Sequence, residues 1–153
     1  MIDRLETRIP PPIWALLFVA LTYGIAQLDL GWEFGGGPSV GLVVAVLGVV
    51  IAALAVIDVV GAGSSVDPHD FSKTYSLQTT GVYRLSRNPM YLGLAALVLG
   101  FGLAIGDSVG ALVGTIGFVL VITRLQIVPE ERAMAKKFPK RYPKYREQTR
   151  RWL

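Results

Sequence analysis

The stretch MYLGLAALVLGFGLAIGDSVGALVGTIGFVLVITRLQIV, residues 90–128, decides the fold. It holds two apolar runs, Met90 to Gly106 and Val109 to Val128, joined only by Asp107 and Ser108. Each run is long enough for a helix of roughly 17 to 21 residues, which at about 1.5 Å per residue approaches the roughly 30 Å of a bilayer core. So short a connection predicts a tight antiparallel helical hairpin. Gly102 and Gly106 on one side, and Gly110 and Gly114 on the other, have the small-x-x-x-small spacing that lets helices approach closely.

Two further runs lie upstream, Ile13 to Leu30 and Val40 to Val60. The first follows Pro10, Pro11 and Pro12, residues tolerated at a helix start, and carries Trp14 where an interfacial aromatic belongs. Gly35, Gly36, Gly37 and Pro38 separate the two, a turn-forming stretch unsuited to a continuous helix. The expectation is an all-α integral membrane protein forming a single domain over 1–153. It has four transmembrane helices at about 13–30, 40–60, 90–106 and 109–128, a loop over 61–89 and a basic tail over 129–153.

Composition agrees and removes several function classes. Of 153 residues, 52% are hydrophobic and only 17% charged, with mean hydropathy +0.51, too apolar for an ordinary soluble domain. There is no cysteine and a single histidine, His69, which reads as a solvated loop residue. Disulfide, thiol and Cys/His metal chemistry are therefore set aside, and no metal site is expected. The net charge of +4 does not point to nucleic acid, because the cations flank apolar blocks rather than alternating with exposed aromatics.

The placement of the cations predicts orientation. Arg4 and Arg8 precede the first run, Lys73, Arg84 and Arg87 lie in the central loop, and the other ten of the fifteen follow from Arg124 onward. In a four-span arrangement all fall on one side, so the positive-inside rule puts both termini and the central loop in the cytoplasm. Asp29, Glu33 and Asp107 then face outward. The N-terminus does not read as a cleaved signal peptide, given its mixed charge and the spans that follow.

Polar chemistry collects at the cytoplasmic end, in the loop with Asp67-Pro68-His69-Asp70 and in the tail, which opens with Pro129-Glu130-Glu131. Two carboxylates in the first turn of a helix suit its macrodipole. Asp58 sits near the end of the second run, where it is read as structural or pocket-lining. Phe138, Tyr142 and Tyr145 recur at helical spacing and predict a tail that folds back as a lid, interrupted at Pro139 and Pro143.

Four pieces in order carry a resemblance: Thr80-Gly81-Val82-Tyr83-Arg84, then Arg87-Asn88-Pro89-Met90-Tyr91-Leu92-Gly93, then Glu130-Glu131, then Phe138-Pro139-Lys140-Arg141-Tyr142-Pro143-Lys144-Tyr145. On these the chain resembles the integral membrane methyltransferases related to isoprenylcysteine carboxyl methyltransferase and the phospholipid methyltransferases. The resemblance covers about the C-terminal half. It implies S-adenosylmethionine at the cytoplasmic end of the last two spans and methyl transfer to a lipophilic or amphiphilic acceptor, a carboxylate, amine or thiol, entering from membrane lipid.

By position, the implied cofactor contacts are Tyr75, Ser76, Leu77, Gln78, Tyr83, Asn88, Pro89, Met90, Tyr91 and Glu130, and the implied catalytic residues are Arg124 and Glu131. Asn88 stands where the family often has histidine, and it cannot accept a proton near neutral pH. Gln126 stands where the eukaryotic carboxyl methyltransferases carry a substrate-carboxylate arginine. Two alternatives come from other classes. A small multidrug-type transporter would need a carboxylate near the bilayer centre and short loops, whereas here the acids sit at span ends. The other is a non-catalytic membrane scaffold. The oligomeric state is not legible.

Overall fold

In the computed structural model, residues 9–30, 33, 35–61 and 76–153 are described. Arg4, Arg8, Asp67, His69, Asp70, Lys73 and Tyr75 lie outside them. Among the described residues every element is helical except one isolated bridge between Glu33 and Asp107. In chain order these are α1 (Pro11–Ala26), α2 (Gly37–Gly61), a 3-10 turn (Gly81–Arg84), α3 (Pro89–Ala104), α4 (Ser108–Ile122), a π turn (Thr123–Ile127), α5 (Val128–Lys137) and α6 (Arg141–Gln148).

Two helical stretches are long and apolar enough to cross a membrane: α2, with 25 residues, and the continuous 30 residues of α4, the π turn and α5. The apolar helices α1 and α3 have 16 residues each, about 24 Å at 1.5 Å per residue. α1 begins two residues earlier than predicted, since Pro11 and Pro12 occupy a first turn whose N–H groups need no intrahelical partner. It ends earlier too, at Ala26, and Asp29 beyond it takes φ 45°. The fourth helix does not stop at Val128. Pro129 clashes with a regular helix at the carbonyl of Leu125, and that residue lies in the wider π turn, so the chain continues as α5.

The hairpin forms as predicted. Gly106 turns at φ +83°, and the Asp107 carboxylate caps α4 by accepting from Val109 N and Gly110 N, both at 3.1 Å. Its glycines divide their work, however. Gly102 meets Ala111 across the hairpin, where a Cβ would lie 2.5 Å from the Ala111 Cα. Gly110 and Gly114 instead admit Thr22 of α1, which is fully buried and donates from Oγ1 to the Gly110 carbonyl at 3.3 Å.

α3 is the central helix, with Tyr91, Gly93, Ala95, Val98, Gly100 and Gly102 buried. Antiparallel to it, α2 lies against α3 through Gly41, Ala45, Gly48 and Ala52. A Cβ on Gly48 would fall 2.5 Å from the Gly93 carbonyl oxygen, so the two backbones are in contact. α1 and α4 cover another side of α3, with Phe18 edge-on to Phe118 at 6.0 Å between centroids. The outward faces are mainly aliphatic: Leu16, Leu17, Leu42, Leu47, Ile116 and Leu120 are all more than half exposed. An apolar exterior this continuous belongs against lipid, where helices satisfy their own backbone groups.

Candidate functional site

The polar groups gather where α2 ends, α3 begins and α4 passes into α5. Asp58, one turn from the end of α2, accepts from Val82 N at 3.2 Å and so anchors the 3-10 turn to the bundle. Gly81 opens that turn at φ +59°, with its Cα against the Asp58 carboxylate, so both conformation and space require glycine. Pro89 is then the first residue of α3 and brings Met90 and Tyr91 into its first turn.

Tyr91 is buried and donates its hydroxyl to Glu130 Oε1, which joins α3 to α5 at the centre of the cluster. Tyr83 is near the same carboxylate. Burial, with the charges of Glu130 and Asp58 added to it, holds the Tyr83 phenol well above its ordinary range and keeps it protonated. Its carbonyl accepts from Tyr145 Oη at 2.6 Å, which brings α6 over the turn. Leu77, Tyr142 and Tyr145 form a small second core with Met134, Ala135 and Phe138 beneath the tail helices. Burial pushes the Tyr142 hydroxyl up to about 12 and raises that of Tyr145 further.

The other carboxylate has a different role. Glu131 accepts from Arg87 Nη2 at 2.9 Å and from Arg151 Nε and Nη2 at 3.0 and 2.7 Å. The bidentate pair holds the Arg151 guanidinium above its ordinary pKa, through the hydrogen bond first. The C-terminal segment is fastened along the start of α3 by further bonds. Arg87 N donates to Arg150 O at 2.9 Å, while Ser86 Oγ and Asn88 Nδ2 both donate to Arg151 O, at 3.2 and 2.9 Å. Trp152 Nε1 reaches Thr123 Oγ1 at 3.2 Å. Arg87 Nε is buried with no hydrogen-bond partner among the described residues.

Beside this cluster an apolar groove of about 450 Å³ opens between α2 and α3. Gly48, Ala52, Val56, Gly93 and Leu97 line it, with Pro12 of α1, and Met90 lies at the end next to Tyr91. Gly48 and Gly93 bring the two backbones into contact, and the groove lies along that close crossing.

The structure therefore brings Tyr83, Asn88, Pro89, Met90, Tyr91, Glu130 and Glu131 to one end of the bundle, with Leu77 beneath α6. Ser76 is half-buried, and Gln78 donates to Thr80 Oγ1 at 3.0 Å at the approach to the 3-10 turn. Arg124 is exposed on the π turn, whereas Gln126 two residues on is fully buried and donates to the Ile9 carbonyl at 2.7 Å. The tail is helical and packs back on the 3-10 turn through Tyr145, and only Pro139 separates its helices: Pro143 sits in the first turn of α6, where it is tolerated. Sequence reasoning missed Ser86 and Arg151 as site-building residues. A serine in a loop and one arginine of an Arg150-Arg151 pair carry no local signal of their partners. No cluster suited to a metal ion occurs among the described residues.

A family profile described as phospholipid methyltransferase matches residues 38–141, from the start of α2 into α6. An uncharacterized protein of Haemophilus influenzae is 42% identical over 64 residues, which is 42% of this chain and all of that protein. No solved structure matches the chain.

Proposed function

From the premise that this chain belongs to the phospholipid methyltransferase family, and so to a family of membrane methyltransferases acting on lipid-related substrates, we propose that it transfers methyl from S-adenosylmethionine to a lipophilic or amphiphilic acceptor at the cytoplasmic membrane face. The observation that carries this reading is the junction of the Tyr91–Glu130 pair with the apolar groove ending at Met90. The polar cluster and the apolar groove meet at the first turn of α3, where Met90 lines the groove and Tyr91 follows it.

The residues present fit the cofactor. Its ammonium and sulfonium call for an anion and aromatic faces, which Glu130, Tyr83 and Tyr91 provide. Its carboxylate calls for a donor, and the buried Arg87 Nε is one without a partner among the described residues. S-adenosylmethionine supplies, when bound, an electrophilic methyl on a sulfonium whose positive charge is lost in the transfer. The chain's part is alignment and exclusion of water. Tyr91 keeps its proton, donates it in a hydrogen bond to Glu130 and so fixes that carboxylate. Tyr142 and Tyr145, packed on Leu77, shut water out from above, and the groove holds the acceptor's apolar part in line. No covalent nucleophile is needed.

In this reading α1, α2, α3 and the α4–α5 rod all span the bilayer, with both termini and the basic end in the cytoplasm, as the one-sided cations support. Among the described residues, the opposite end carries Asp29, Glu33 and Asp107 and no cation. The test is equilibrium binding of labelled S-adenosylmethionine to the protein in nanodiscs, beside Glu130→Gln and Tyr91→Phe. Saturable binding weakened at least tenfold in both variants supports the site. A folded wild-type protein with no saturable binding overturns it.

A further inference from the structure

The tail has two faces, and only the inner one is used by the site. Tyr142 and Tyr145 of α6 and Thr149 just after it are buried, while Arg141 and Lys144 of α6 and Lys140 just before it are exposed. At this end of the molecule ten of the described lysines and arginines are exposed, against a single exposed acid, Glu147. Two leucines interrupt the charge: Leu85 is 73% exposed and Leu153 is 72% exposed, more than any side chain on the aliphatic girdle. Both flank the seam where Arg87 N bonds Arg150 O and Ser86 Oγ bonds Arg151 O.

The height of this surface follows from two hydrogen bonds. Tyr145 Oη bonds the Tyr83 carbonyl, and the adjacent Val82 N bonds Asp58, which lies one turn inside the end of α2. α6 is thus tied close to the end of an apolar helix of 25 residues rather than held away in solution. Cations at that level lie within a Debye length, about 8 Å, of a bilayer surface, where each adds materially to attraction for anionic lipid.

We propose that the outer face of α6, with Lys140, Arg141 and Lys144 as its cationic patch and Leu85 and Leu153 as apolar anchors beside it, docks on the headgroups of anionic phospholipid. The lid over the site is then held down by the membrane itself, through residues that take no part in the site. Charge complementarity and the tie of α6 to the end of an apolar helix favour a bilayer over a soluble acidic partner.

The test uses the whole protein in nanodiscs made from equal parts phosphatidylcholine and phosphatidylglycerol of matched chains. The lipids that stay bound after mild detergent extraction are counted by native mass spectrometry. Wild-type protein is expected to retain phosphatidylglycerol over phosphatidylcholine by roughly fivefold or more. The triple variant Lys140→Gln, Arg141→Gln, Lys144→Gln is expected to bring that ratio close to one. Extraction of wild-type protein at about 1 M salt, where the Debye length is about 3 Å, lowers the ratio without any substitution. A wild-type ratio near one, or a ratio indifferent to both salt and the substitutions, overturns the proposal. Neither readout depends on methyl transfer.

Discussion

Replacing Glu131 with glutamine keeps the side chain's shape and removes only its charge. The Arg87 side chain is 9% exposed and that of Glu131 13%, so this pair is largely enclosed, while Arg151 at 37% is half in solvent. Charges about 4 Å apart at an effective dielectric near 20 attract by about 4 kcal/mol. Two cations give about twice that before the cost of taking three ions out of water is set against it, several kcal/mol per enclosed ion. Removing one partner of an enclosed pair costs about 3–5 kcal/mol because the other charge is stranded; the lower figure, about 3 kcal/mol, applies here, since Arg151 is partly in solvent and the loss falls mainly on Arg87.

At about 2–4 °C per kcal/mol, the unfolding midpoint in nanodiscs, followed by tryptophan fluorescence, falls by about 6–12 °C. The second half of the prediction is sharper. Adding Arg87→Met to Glu131→Gln removes the stranded charge and recovers at least half of the loss. An unchanged midpoint in Glu131→Gln, or a double variant less stable than either single one, would refute the assignment of Glu131 as the node of a structural ion cluster. A loss of activity with full stability would return it to the catalytic role implied by resemblance.

Three further outcomes are expected. Gly48→Ala or Gly93→Ala forces α2 and α3 apart and costs about 1–3 kcal/mol; the pair together costs less than the sum, because the first separation already admits the second methyl, and additive losses in SDS titration would contradict this packing. Asp107→Ala uncaps α4 and lowers stability by about 1 kcal/mol by the same titration, whereas Asp107→Asn retains most of it. Stability falls on the alkaline side: the unfolded chain loses phenolic protons from about pH 10 while Tyr142, Tyr145 and Tyr83 hold theirs to about 12 or above, a slope of about 1.4 kcal/mol per pH unit for each group. Tyr142→Phe should flatten that limb in a pH-melt series, and a flat wild-type limb would contradict the burial.

Much of this molecule is legible in one dimension. Runs of aliphatic residues bounded by Pro and Gly mark the helices to within a few positions, because nothing else buries that much apolar surface in lipid. The one-sided cations, the hairpin at Asp107 and the order of motifs from Gly81 to Tyr145 are properties of composition and spacing. They need no knowledge of what touches what. The alternating aromatics of the tail likewise announce a face, since α6 is polar enough for a buried face to stand out.

What only the tertiary structure decided is direction. A helix that is apolar on every side carries no periodic signal, so spacing alone could not say that Gly110 and Gly114 receive Thr22, that Gly48 and Gly93 let α2 press onto α3, or that a groove runs along that crossing to Met90. Adjacent carboxylates point about 100° apart around a helix, and this alone divides Glu130, turned to Tyr91, from Glu131, turned to Arg87 and Arg151. Arg151 finds its partner 20 residues away only after the chain has reversed at Pro139, a contact that exists in the folded chain and nowhere in its spacing.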